Sequence, residues 1–354
     1  MSRNPLARAV GRGIGRALPR GWRLRVSSAR AAALSARTRL RLRRLAASGR
    51  PIIVGPYFGE VGFELLYWIP FLAWFVHRYN VDSSRVIAVS RGGAASWYAH
   101  LAGRYCDVFD VIDPAEFRAR NDERIRTSGE QKQIDVTALD EQIADAVRRR
   151  LGRDGAVLHP SVMYALFAPF WWGHLPLDWV DRHARFVRLT PPALPPHVAL
   201  PHEFAAVKFY FNDCFVDSPA VRAVVHEVVH NISHALPIVS LSTGLAIDDH
   251  DACEPHGHAA IQPGYEARSN LDVQTAIVAR ARQFVGTYGG FSYLSPFFGV
   301  PATAYYSDPH GYSVRHLEVA RLAIDRMGGA PLELRPAVGA TTGVRDGGIV
   351  CSSR

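Results

Sequence analysis

The chain has 354 residues, 48% hydrophobic and 21% charged, which excludes an intrinsically disordered chain and leaves room for two ordinary domains. Its net charge of +9 is unevenly placed: residues 1–50 contain fourteen Arg and no Lys, Asp or Glu, and the other 304 residues hold 27 basic and 32 acidic groups. The basicity belongs to an arm and the body is mildly acidic, so no specific nucleic-acid partner is expected.

In the arm, residues 1–50, Arg recurs every three or four positions with Leu, Val and Ala between. That pattern suits an interfacial helix on an anionic membrane surface, and a disordered extension is the alternative. The arm lacks the unbroken apolar core of a signal peptide. Its "GRGIG" has no preceding strand and the wrong glycine spacing for a dinucleotide turn. Cys106, Cys214, Cys253 and Cys351 show no CxxC spacing, which fits a reducing compartment. The apolar run from Val61 to Val76 is short for a membrane span and is interrupted by Glu64 and Pro70.

From residue 51 short β-rich runs alternate with helical stretches. "PIIVG" precedes a helix predicted over 62–79, "RVIAVS" precedes "AASWYAHLA", and "FDVID" precedes a polar insertion and "TALDEQIADAVRRRL". This rhythm predicts βαβ units on a parallel sheet. The stretch 163–179, "MYALFAPFWWGHLPLDW", has no clear period and is read as core, with a patch for a lipid-linked acceptor as the alternative.

Five prolines between 191 and 201 then mark an extended linker, 188–203. Beyond it the rhythm restarts: "FAAVKFYF", a helix over 218–235, "PIVSLST", "AAIQP", a helix over 271–282, "FVGTY", a helix over 291–298, and "ATAYYS". A last helix has apolar residues at Val314, Leu317, Ala320, Ile324 and Met327, and a Gly-rich tail, 329–354, reads as loose. The expected organisation is the arm at 1–50, an N-terminal α/β domain at 51–187, the linker, a C-terminal α/β domain at 204–328, and the tail. Ligands of such sheets bind beyond the carboxyl ends of the strands, which singles out the turns at 55–62, 90–94, 211–218 and 287–292.

At 287–292 a strand ends, Gly289-Gly290 turn, and "FSYLSPFFG" opens a helix. Free N–H groups at a helix start suit phosphate oxygens, glycines allow close approach, and Thr287 and Ser292 add hydroxyls. A tight turn with glycines for packing alone is the alternative. In "VKFYFNDC", Lys208, one of two lysines in the chain, lies inside a strand, where a charge needs a partner such as a phosphate. Asn212 and Asp213 follow, placed for sugar or ribose hydroxyls.

The stretch "DVQTAIVARARQFVGTYGGFSYLSPFFGVPATAYYS" resembles the C-terminal signature of GT-B glycosyltransferases, in particular the heptosyltransferase-like group. "GEVGFELLYWIPFL" is similar to the glycine-rich turn and apolar helix after that family's first strand. The resemblance implies a GT-B-like α/β fold, two Rossmann-like domains with parallel sheets facing a cleft. It implies that the turn with Gly289, Gly290, Phe291 and Ser292 grips the diphosphate of a nucleotide sugar, and that a basic residue near Lys208 assists. It places Glu60 at the position of the catalytic base, with Glu64 one turn further in as its rival. Gly59 and Gly62 then lie on the acceptor side; Arg91, in the strand–Gly–helix turn 90–94, is read toward the same side, with an ordinary αβ turn as the alternative. The chain departs from the family with Tyr288 where Asp is frequent and Tyr293 where His is common.

The expected activity is metal-independent sugar transfer from a nucleotide sugar to a hydroxyl acceptor, such as a cell-envelope or lipid-linked glycan. No cofactor is expected beyond the nucleotide-sugar co-substrate. The enzyme would be cytoplasmic, peripheral at the inner membrane face. Two motifs compete. "HEVVH", 226–230, matches a zinc-hydrolase pattern, but the helix's valine stripe leaves its histidines on the opposite face. "DDHDACEPHGH", 248–258, is rich in metal-ligand types and also reads as polar surface. A metal-dependent hydrolase or a non-catalytic nucleotide-sugar or glycan-binding protein is therefore the alternative.

Overall fold

A computed structural model describes residues 20–152, 154–245 and 260–337, with side chains from residue 33 onward. The first nineteen residues of the arm with "GRGIG", the "DDHDACEPHGH" stretch with Cys253, and the segment from 338 with Cys351 lie outside the described residues.

The chain forms two α/β units, each around an all-parallel sheet. The first unit holds β1 (Ile52–Val54), β2 (Val86–Ser90), β3 (Arg104–Asp107) and β4 (Ala156–Leu158), in the order β3-β2-β1-β4. Every residue of β1 and β2 is buried, the continuous apolar run expected of strands covered on both faces. The second unit holds β5 (Ala205–Lys208), β6 (Ile238–Ser240), β7 (Ala260–Ile261), β8 (Gln283–Thr287), β9 (Ala302–Tyr306) and β10 (Leu332–Pro336), in the order β10-β9-β8-β5-β6-β7. In both sheets the order reverses beside the unit's first strand, at β1 or β5, the position beyond whose carboxyl edge ligands of such sheets bind.

The helix after β1 is continuous from Val61–Phe63 through a wide π-helical segment, Glu64–Trp68, to Ile69–Arg78, and is called α2 here. Ile69 N–H bonds the Glu64 carbonyl five residues back, and single π-turns of this kind recur at functional sites. The helix is buried nearly all round, which explains its lack of a polar face.

The arm is not wholly an appendage. Residues Arg20–Ala47 form one helix, α1, which buries Ser35, Thr38 and Leu42 at helical spacing and packs against α6 (Ser161–Trp171). Leu42 joins an apolar core that runs without interruption through both units.

Two expectations are corrected, for "FDVID" and for the tail, and the polar insertion between them gains a structure that its sequence is not assigned. "FDVID" is not a strand: β3 ends at Asp107, whose carboxylate accepts the N–H groups of Phe109 (2.8 Å) and Gly93 (2.7 Å) and so starts a 3₁₀ turn at Val108–Asp110. The polar insertion is helical over Pro114–Ser128, capped by Asp113 at its start and closed by Gly129 with φ 68°. The tail does not begin at 329: Leu332–Pro336 pair in parallel with Ala302–Tyr306 as the edge strand β10. Of the aromatic stretch 163–179, Tyr164, Phe167 and Phe170 are buried on α6, as a core reading expects, whereas Trp172, just past its end, is 71% exposed. The linker, 188–203, has no regular structure and is tacked down by Leu189 N–H bonding the Phe297 carbonyl.

Candidate active site

The carboxyl-edge turns of the two sheets meet. Gly62, at the start of α2, faces Gly290, at the start of α10 (Gly290–Phe297): a Cβ on Gly290 would stand 2.8 Å from the Gly62 backbone nitrogen. Beside them the Gly92 carbonyl of the 90–94 turn accepts the Leu271 N–H (2.7 Å) of α9 (Asn270–Val278). Trp97 Nε1 donates to Thr275 Oγ1 at 3.0 Å. All four turns singled out in the sequence come together: 55–62 meets 287–292 at Gly62 and Gly290, Arg91 of 90–94 bonds the Gly59 carbonyl, and Cys214 Sγ of 211–218 bonds the Tyr288 carbonyl at 3.6 Å.

Glu60 and Glu64 receive opposite environments from the same turn. Glu60 is exposed at the N-terminus of α2, and its carbonyl accepts the Tyr57 hydroxyl (2.9 Å) and Glu64 N–H (3.1 Å). Glu64 is only 1% exposed. Its Oε1 accepts the Ser90 hydroxyl at 2.6 Å and also the Tyr98 hydroxyl. Burial pushes its pKa up to about 7, against the hydrogen bonds of Ser90 and Tyr98 and the charge of Arg91, which pull it down. Arg91 is buried and donates to the Gly59 carbonyl (3.1 Å), tying the 90–94 turn to the 55–62 turn.

On the donor side each expected residue already has work. Thr287 Oγ1 accepts Tyr210 N–H (3.0 Å) and donates to the Tyr210 carbonyl (2.8 Å). Ser292 Oγ accepts Gly289 N–H (3.1 Å) and donates to the Gly289 carbonyl (2.7 Å), capping α10. A Cβ on Gly289 would collide with the Tyr210 hydroxyl at 2.1 Å. Asn212 Oδ1 accepts the N–H groups of Cys214 (3.0 Å) and Phe215 (2.8 Å) and so shapes its own turn. Lys208 ends β5 half-buried, with Nζ donating to Gln274 Oε1 (2.6 Å) and lying 4.1 Å from the centre of the Phe291 ring. Lys208 and Phe291 therefore act together, a cation on an aromatic face.

Sequence reading missed a second constellation. Tyr67 of α2 bonds His316 Nδ1 at 2.6 Å, and His316 comes from α11 (Val314–Met327) of the other unit. The imidazole stands edge-on to Phe63, 4.8 Å between ring centres, with Trp171 nearby and Lys132 Nζ 4.5 Å from the Phe63 ring. Burial lowers the His316 pKa to about 4, with the Lys132 charge adding to the effect. Nothing local in "SVRHLEV" announces this role. Only a histidine in an otherwise amphipathic last helix hinted at it.

Of the rival motifs, "HEVVH" lies on α8 (Pro219–Ser233) with Val221, Val225 and Val229 buried and His226, Glu227 and His230 exposed, as the valine stripe predicts. Among the described residues no group of three His, Cys, Asp or Glu is placed to hold a metal ion. Among the same residues no helix is long and apolar enough to cross a membrane.

No protein-family model matches the chain, and no curated protein matches it in sequence. Solved structures similar to it include the iron-containing dodecameric glycosyltransferase TibC of enterotoxigenic E. coli, at 13% identity and a TM-score of 0.39, covering 75% of this chain. This chain spans 60% of TibC's length. A glycosyl transferase family 9 protein of Veillonella parvula is similar at 10% identity and a TM-score of 0.41, with 81% of this chain and 86% of that one covered. The E. coli ADP-heptose lps heptosyltransferase II is similar at 11% identity and a TM-score of 0.37, with 73% and 85% covered.

Proposed function

We propose that this chain is a glycosyltransferase that moves a sugar from a nucleotide-sugar donor to a hydroxyl acceptor without a metal ion. The observation that carries the reading is the meeting of the 55–62 and 287–292 turns through Gly62 and Gly290. One turn carries an exposed carboxylate, Glu60. The other follows β8 at the carboxyl edge of a parallel sheet, beside the strand-order reversal at β5, and includes Phe291, whose ring carries Lys208. The resemblance of both turns to the GT-B signatures supports the same roles.

In this reading the acceptor oxygen attacks the anomeric carbon while its proton passes to the Glu60 carboxylate. The bond from the anomeric carbon to the diphosphate oxygen breaks, and the nucleoside diphosphate leaves with the electron pair. Lys208 and the first N–H groups of α10 offset the charge that develops on the diphosphate. Glu64 touches no reacting atom and positions α2 through Ser90 and Tyr98. The acceptor is a cell-envelope or lipid-linked glycan, and α1 holds the cytoplasmic enzyme against the inner membrane face.

A second reading, a glycan binder without turnover that holds no diphosphate, is favoured by one observation. The hydroxyls of Thr287 and Ser292 are both spent on backbone partners, which leaves the turn few donors for a diphosphate.

Calorimetric titration of the full chain with UDP, GDP, ADP, CMP and dTDP, with and without EDTA, tests the donor site. Micromolar binding of one diphosphate, indifferent to EDTA and weakened in Lys208→Ala, is the expected result. Binding lost with EDTA would move the site to a metal, and no binding by any of the five would end the transferase reading.

A further inference from the structure

A cavity of about 300 Å³ lies outside the proposed active site, between α1, α2 and the short helix α7 (Asp178–Asp181). Its floor is aromatic and neutral: Trp179 and His183 are buried, 4.6 Å apart between ring centres, and Trp74 stands 5.2 Å from His183. Ser35 of α1, 1% exposed, closes the floor within 3.5 Å of His183 Nε2. Burial keeps the His183 pKa below its ordinary value, helped by Arg39 and Arg182 and opposed by the Trp179 carbonyl.

The rim is cationic. Arg39 comes from α1, Arg78 from the end of α2 and Arg182 from the end of α7, and all three are exposed. Among the described residues no carboxylate pairs with any of them. Three guanidinium groups from three helices line this one cavity: that of Arg182 lies over the Trp179 ring with its Nε on the Asp178 carbonyl, and that of Arg78 lies over Tyr79, so their remaining N–H groups are open to an anion. The charge and the planar, forked N–H donors of three arginines fit a phosphate group.

We propose that this cavity binds the terminal phosphate of a membrane lipid, a phosphate monoester head group, and so fixes how α1 lies on the membrane. The outward surface of α1 favours a lipid over a free ion. Arg37, Arg41, Arg43 and Arg44 are exposed along it, and Leu40 is half exposed among them. Such a surface lies on anionic headgroups, where tryptophans like Trp74 are at home. The inference rests on the membrane part of the proposed function and is independent of the sugar-transfer chemistry.

Co-sedimentation of the full chain with phosphatidylcholine vesicles carrying either phosphatidic acid or phosphatidylserine, matched in total charge, tests it. Tighter binding to phosphatidic acid is expected, and Arg78→Ala or Arg182→Ala each remove about fivefold of that binding while sparing phosphatidylserine. Arg41→Ala, on α1 but outside the cavity, weakens both vesicles alike. Equal binding to the two lipids, or equal effects of Arg41→Ala and Arg182→Ala, would leave a membrane-bound arm but overturn the cavity as its recognition site. No binding to either vesicle would overturn both the lipid assignment and the membrane reading. Titration with glycerol 3-phosphate, read by Trp74 and Trp179 emission, separates the sources: saturation without vesicle binding would reassign the site to a soluble phosphate. Circular dichroism of each variant confirms that losses are not unfolding.

Discussion

Gly62 and Gly290 stand face to face where the two units join, so closely that Gly62 and Val61 leave no room for a side chain on Gly290. A Cβ on Gly290 would lie 2.8 Å from the Gly62 nitrogen and 2.9 Å from Val61 Cβ. A Cβ on Gly62 would meet the Tyr293 ring at 3.3 Å, an edge that can give slightly. Gly290→Ala therefore destabilises by about 1–3 kcal/mol, as overpacking of a fitted interface does, and Gly62→Ala by less. Urea denaturation of the two variants checks the order. A neutral Gly290→Ala would mean the units separate readily at this point.

Glu60→Gln keeps the shape of the exposed turn and removes the proposed base. Turnover falls by about 10²–10⁴-fold, while nucleotide affinity measured by calorimetry stays within about twofold. Full activity in this variant would move the base elsewhere.

Glu64 makes stability depend on pH. Its pKa is raised in the fold from 4.5 to about 7, so across that window the folded state holds more proton than the unfolded chain. Stability is then highest at or below pH 4.5, falls as pH rises to 7, and levels off above it. The fall is on the order of 3 kcal/mol. Glu64→Gln, which can still accept from Ser90 and Tyr98, removes this slope and is more stable than the parent at pH 8.

His316 works in the opposite sense. Its pKa is lowered from 6.5 to about 4, so the unfolded chain holds more proton between those values, and stability rises with pH until about 6.5. The two slopes oppose each other in the parent between pH 4.5 and 6.5, which flattens its profile. His316→Asn leaves a profile that falls with pH, and Glu64→Gln leaves one that rises. Denaturation at pH 5, 6, 7 and 8 checks this, and parallel profiles in the two variants would refute it.

Much of the architecture was legible in order and spacing. The alternation of β-rich and helical runs placed two parallel α/β units either side of a proline-rich linker, because strand and helix periods differ and proline breaks both. The valine stripe of "HEVVH" correctly set its histidines outside the core. The errors fell where local signals were weak. Asp107 stopped a strand by bonding backbone groups, and β10 is a half-exposed edge strand with no apolar run to mark it.

The contrast between Glu60 and Glu64 could not be read, because α2 is apolar nearly all round and so shows no face. Sequence alone determined the two units, the charged arm, and the pair of glycine turns with their carboxylates, since periodicity, proline and glycine act locally. Tertiary structure decided that Glu64 is sealed beneath Tyr98 and Ser90, that the turn hydroxyls are spent on Tyr210 and Gly289, and that three arginines from three helices line one cavity. Burial and pairing belong to residues brought from distant parts of the chain, and no local pattern records which partner will arrive.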